Sequence, residues 1–177
     1  GRPDLTEAVG VVRVLADAGV RLICTTASSP YWAPHVQRPA WFPPSDGSLP
    51  PRDPIVDTAV MLAAARDLRA AAPDGTVVIG TGFTYLQQFL PNVAQALVRA
   101  GWVEGVGLGR VVLSSPDLPL DVLAGRPLAA RRLCRTFSDC TTAPRNGLPS
   151  GCYPLDPFYK ERPERVELAR VKRGARG

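Results

Sequence analysis

Apolar and polar positions along the chain follow two different periods. Leu5, Ala8, Val12, Leu15 and Ala16 recur at helical spacing after Asp4. Asp4-Leu5-Thr6-Glu7 has capping-box spacing, with Asp in place of Ser or Thr, and Gly19 ends the pattern. "VRLICT" then predicts a strand, continuous enough in apolar character to be buried on both faces. Asp53-Pro54 predicts a helix start with Pro in the first turn, and "IVDTAVMLAAARDLRAAA" a long Ala-rich helix ending near Pro73-Asp74-Gly75. "TVVIGTG" predicts a second buried strand. Residues 84–100 predict a helix, with Pro91 as a kink or as the first turn of a fresh helix, and Gly101 stops it. "VEGVGLG" predicts a third strand, and "SSPDLPLDVLAG" a last helix with Ser115 as cap and Gly125 as stop.

Regular alternation of strands and helices predicts an α/β fold with a parallel sheet. Right-handed crossovers would place the three strand C-termini on one rim, where α/β folds hold ligands. Three peculiarities follow those strand ends: the Gly80–Gly82 turn, Gly109-Arg110, and the long segment 26–53. That segment holds seven prolines, two of the three Trp and the sole His. Such proline density forbids a helix interior or a central strand. Its aromatic content argues against disorder, and a loop of this length in a compact domain is usually functional.

The 177 residues suffice for one domain, and 45% hydrophobic content supplies a core. No apolar run reaches the ~18 residues of a membrane span, and no secretory leader pattern precedes the first helix. A cytoplasmic location is the expectation. The chain begins Gly1-Arg2-Pro3 and its one Met is Met61, so it reads as a piece of a longer protein. Much of the net charge of +5 falls in "ARRLCR" and in the basic tail 163–177. No aromatic residue interleaves that tail, so it offers no stacking platform and nucleic acid is not an expected partner. Of the four Cys, Cys134, Cys140 and Cys152 fall in one loop-like segment, while Cys24 lies in the first strand. Free, partly buried thiols are the expectation.

Backbone N–H groups in a Gly turn that leads into a helix favour a phosphate, and Arg110 can clamp the same anion. The plain alternative is that Gly80, Gly82 and Gly109 only permit tight turns and that Arg110 only pairs with a carboxylate.

Strand–"GTG"–helix followed by "VGLGRVVLSSPDLPLDVLAGR" resembles the end of the barrel in the NADH:flavin oxidoreductase family, the old yellow enzyme relatives. "CRTFSDCTTAPRNGLPSGCYPLDP" falls where the dienoyl-CoA reductase-like branch has its cysteine loop, and "GVRLICTTASSPYWAPHVQRPA" resembles its sixth strand and following loop. The resemblance covers most of residues 4–160. It implies the C-terminal part, about strands six to eight, of an FMN-binding (β/α)8 TIM barrel over residues 1–127. A Cys-containing irregular extension would occupy 128–162, and a tail, disordered or opening a further segment, 163–177. The implied activity is NADH- or NADPH-driven reduction of an activated alkene, and the chain alone is expected to be inactive.

By position, Gly80, Thr81, Gly82, Gly109 and Arg110 would cradle the FMN phosphate. His35 would be the acid that protonates the alkene, with Tyr31 as alternative, and Trp32 and Arg38 would bind substrate. The cluster-bearing branch uses four Cys, closely spaced at first. Here five residues separate Cys134 from Cys140 and eleven separate Cys140 from Cys152. The second interval suits a cluster loop, but the first does not, and Cys24, in a strand, is a poor fourth ligand, so an iron–sulfur cluster is not expected and no metal ligand is assigned. Two other functions fit the same residues: a phosphate-binding barrel enzyme for a sugar phosphate or nucleotide, and a non-catalytic metal or nucleic-acid module.

Overall fold

The apolar, β-rich runs become one small parallel sheet. The computed structural model describes residues 3–174. In it β1 (Leu22–Cys24), β2 (Val77–Gly80) and β3 (Gly105–Val106) pair in the order β1-β2-β3, all parallel. The described residues fall into two compact units. Unit 1 takes in the chain up to residue 39 and residues 54–108, and unit 2 takes in residues 40–53 and the chain from 109 onward.

In unit 1, α1 (Thr6–Asp17) opens where Asp4 accepts hydrogen bonds from the Thr6 amide at 2.9 Å and the Thr6 hydroxyl at 2.7 Å. Asp4 thus serves the residue two positions on; the N-cap is Leu5, with no side-chain capping bond, so the expected capping box is not made. Gly19, at a φ of +88°, ends the helix region as the pattern predicted. Val12 and Ala16 are buried but Leu15 is exposed, so the buried stripe is narrower than the spacing suggested. The short helix α2 (Pro34–Gln37) interrupts the proline-rich segment, and α3 (Pro54–Ala71) begins at the predicted Pro and ends before Gly75. Val78, completely buried, packs with Ala65 and Val103. Burying such a side chain contributes about 1.5–3 kcal/mol. Ala27, Met61 and Ala64 form a second cluster, with Leu5 and Val36 packed against it.

Three expectations are corrected in this unit. β1 is not buried on both faces: Leu22 and Cys24 are exposed, because β1 is an edge of the described sheet and pairs only with β2. Residues 84–100 are not one helix. A 3₁₀ helix (Phe83–Phe89), broken at Gln87 with a φ of +51°, precedes α4 (Leu90–Arg99). Pro91 lies in the first turn of α4, where its missing N–H costs nothing. β3 is only two residues long, and a side chain extends its pairing. Glu104 donates its amide to the Val78 carbonyl at 3.0 Å and accepts the Val78 amide on its carboxylate at 2.7 Å. Arg69 pairs with the same carboxylate.

Unit 2 holds a second 3₁₀ turn (Arg110–Leu113), then α5 (Leu118–Leu123), α6 (Asp139–Arg145), α7 (Pro157–Glu161) and α8 (Glu164–Gly174). Ala143, Tyr153 and Leu168 form its buried cluster. Segment 128–162 is therefore partly helical rather than irregular, and the tail is helical to Gly174. The expectation for 175–177 lies outside the described residues. Gly125 stops α5 at a φ of +64°, but Ser115 does not cap it. The Ser115 hydroxyl instead donates to the Arg132 carbonyl at 2.7 Å, a tertiary bond that outcompetes the local one. Within the unit, segment 40–53 is pinned by three polar contacts. The Trp41 amide donates to Thr136 at 3.1 Å, the Ser45 amide donates to Thr142 at 3.2 Å, and Arg145 pairs with Asp46 at 2.6 Å. No helix among the described residues is long and apolar enough to cross a membrane.

Candidate functional site

Parallel pairing brings the C-terminal ends of β1, β2 and β3 to one edge of the unit 1 sheet. The ladder continues past the strands there. The Thr25 amide donates to Ile79 O at 2.9 Å, and the Gly107 amide to Gly80 O at 2.7 Å. The Thr81 hydroxyl donates to Thr25 O at 2.7 Å and lies 3.7 Å from Met61 Sδ. That proton is committed, so the Thr81 side chain has none to give an anion.

The glycines at this edge separate by cause. A Cβ on Gly80 would stand 2.9 Å from Val103 Cγ1, so packing requires that glycine. Gly82 has a φ of +97°, and a Cβ there would run into Met61 Sδ. Both meet structural demands. Gly82 also turns the chain into the 3₁₀ helix, presenting backbone there. Since the expected long α-helix is replaced by a short 3₁₀ piece, little macrodipole backs those amides.

α2 carries His35 and packs through its neighbour Val36 on the Ala27–Met61–Ala64 cluster. Met61 is the residue that meets Thr81 and Gly82, so α2 is tied to the C-terminal edge of the sheet. His35 and Arg38 are half-buried. The Arg38 amide donates to Pro34 O at 2.9 Å and closes the turn. Tyr31 and Trp32 are more than nine-tenths exposed, so they belong to the surface rather than to an enclosed cleft of unit 1.

In unit 2, Gly109 has a negative φ, and a Cβ there would meet nothing within 4 Å. Packing does not demand glycine at this position, and the residue is exposed. Arg110 follows, half-buried. Its side chain lines a cavity of about 20 Å³ together with Cys134, Cys140 and Cys152. The sequence spacing showed the three Cys but not that Arg110 joins them. Burial pushes the Cys134 thiol above its ordinary pKa, against the pull of the Thr136 amide and the Arg110 charge. Burial also pushes Cys152 up. Neutral thiols are poor nucleophiles and poor ligands. Among the described residues no group of three His, Cys, Asp or Glu is arranged to hold a metal ion.

The fit to a flavin phosphate is uneven. In unit 2 Gly109 is exposed and Arg110 supplies a cation; in unit 1 the Gly82 turn offers backbone only. Gly80 and the Thr81 hydroxyl are occupied with packing and internal bonding. Compared with family models, curated proteins and solved structures, the chain matches none.

Proposed function

We propose that the protein is an FMN-dependent oxidoreductase that uses NADH or NADPH to reduce an activated alkene of the enoate or enone type. On this reading its parallel strands are about the sixth to eighth of a (β/α)8 barrel. The order of elements supports it: parallel strands alternate with helices, and small-residue turns follow the second and third strand ends. The observation that carries it is that the third strand is followed by an exposed glycine, Gly109, and then by a half-buried arginine, Arg110. Bound FMN would supply the two-electron chemistry, accepting hydride from nicotinamide and delivering it to the alkene β-carbon. The chain's own groups do the rest. Gly109 and Arg110 hold the phosphate by a backbone approach and a charge-assisted bond. His35, held by α2, gives the proton to the alkene α-carbon. Tyr31 is the alternative donor, but its surface position favours His35.

The test is the acid extract of the full-length protein. The reading expects FMN at close to one per chain. Protein purified without any flavin, which also takes up none on addition of FMN, overturns it.

A further inference from the structure

Two clefts in unit 2 adjoin at Lys172. One, of about 410 Å³, is lined by Phe137, Tyr153, Arg165, Lys172 and Arg173, with Asp139 at Lys172. The other, of about 330 Å³, is lined by Trp41, Phe42, prolines 43 and 44, Leu49 and Lys172. Both volumes lie in the range of small-molecule sites. They are joined a second time, because Phe42 of one stacks on Phe137 of the other with centroids 5.3 Å apart.

The two clefts differ in chemistry. The first presents three cations against one carboxylate. Asp139 pairs with Lys172, and Arg165 donates to the Lys160 carbonyl at 3.2 Å, so among the residues lining the cleft no carboxylate balances Arg165 and Arg173. The second presents Trp41, about half exposed, beside Phe42 and prolines, a surface suited to a flat ring. The framework is anchored: the Trp41 amide is bonded to Thr136, and buried Tyr153 donates its hydroxyl to Pro149 O at 2.8 Å. The basic tail has no aromatic partner in sequence, but the fold brings it one from segment 40–53.

We propose that these clefts together bind a nucleoside phosphate, with the base against Trp41 and the phosphate on the Arg165, Lys172 and Arg173 face of α8. The site stands whether or not the protein uses flavin. Its ligand is either a free nucleotide or the adenosine phosphate end of a pyridine dinucleotide.

The experiment is calorimetric titration of the intact polypeptide with AMP, NADH, NADPH and a single-stranded oligonucleotide. AMP is expected to bind at one site. Arg173→Gln should weaken it roughly tenfold or more, the scale of a lost bond to a charged group. Trp41→Ala should weaken it by a similar factor, the scale of lost base stacking. Both side chains are exposed, so the variants should fold, and unchanged circular dichroism confirms it. A free-nucleotide site binds AMP at least as well as the dinucleotides. A dinucleotide site binds NADPH or NADH more tightly, with the same sensitivity to both variants. No AMP or dinucleotide binding at millimolar concentration, binding untouched by both variants, or binding of the oligonucleotide alone would overturn the proposal.

Discussion

Gly82→Ala tests whether the turn after β2 is shaped by the packing beneath it. Two costs add at this position. Its φ of +97° strains any residue with a Cβ, a cost of about 1–3 kcal/mol. The new methyl would also meet Met61 Sδ, and Met61 is only 2% exposed. Overpacking of this kind costs about 1–3 kcal/mol. The sum, roughly 2–6 kcal/mol, is a large share of the ~5–15 kcal/mol that holds a domain. Urea unfolding, followed by far-ultraviolet circular dichroism, measures it. Met61→Ala removes the obstacle at its own cost of about 2–5 kcal/mol. The double variant should therefore be more stable than the two single losses predict, by about the 1–3 kcal/mol of the relieved clash. Wild-type stability in Gly82→Ala, or strict additivity in the cycle, would refute the reasoning.

Three further outcomes follow from individual side chains. Burial raises the Glu104 carboxyl pKa, but the Val78 amide and Arg69 together outweigh it and hold the pKa below its ordinary value. Its contribution is then present above about pH 4.3 and lost as pH falls through the lower folded value. The stability gap between wild type and Glu104→Gln should accordingly shrink from pH 7 to pH 3, and a pH-independent gap in urea midpoints would contradict this. Alkylation with iodoacetamide at pH 8, read by mass spectrometry, should label exposed Cys24 before buried Cys134, and the reverse order would show that the thiol cavity opens readily. In the full-length protein, His35→Ala should slow alkene reduction by about 10²–10⁴-fold while sparing reduction of the flavin by nicotinamide. Unchanged rates in both half-reactions would make His35 a bystander.

Much of unit 1 was legible because its signals are local. Pro54 and Gly75 bracket α3, Gly19 and Gly101 stop the helices before β1 and β3, and apolar runs mark the strands. What failed depended on long-range partners. "VRLICT" looks like a buried strand, yet burial on both faces needs neighbours on both sides, and β1 has one in the described sheet. Ser115 has the chemistry of a cap, but the Arg132 carbonyl takes its proton. The break at Gln87 has no signature in propensity, since nothing about Gln predicts a φ of +51°. At the candidate site, the glycines were visible but their reasons were not. Val103 explains Gly80 and Met61 explains Gly82, whereas Gly109 stands in open space. The grouping of Arg110 with three thiols was hidden because the Cys spacing resembles no compact ligand motif and Arg110 lies far from them in sequence.

The measurement that bears most directly on the central claim compares FMN with riboflavin, which lacks the phosphate, in wild-type and Arg110→Ala full-length protein. A charge-assisted bond contributes about 1.5–3 kcal/mol, so the variant should bind FMN roughly 10- to 150-fold more weakly at about 1.4 kcal/mol per decade. Riboflavin affinity should barely change. Equal weakening of both ligands would place Arg110 in support of the thiol cavity rather than the phosphate, and unchanged FMN affinity would remove it from the site.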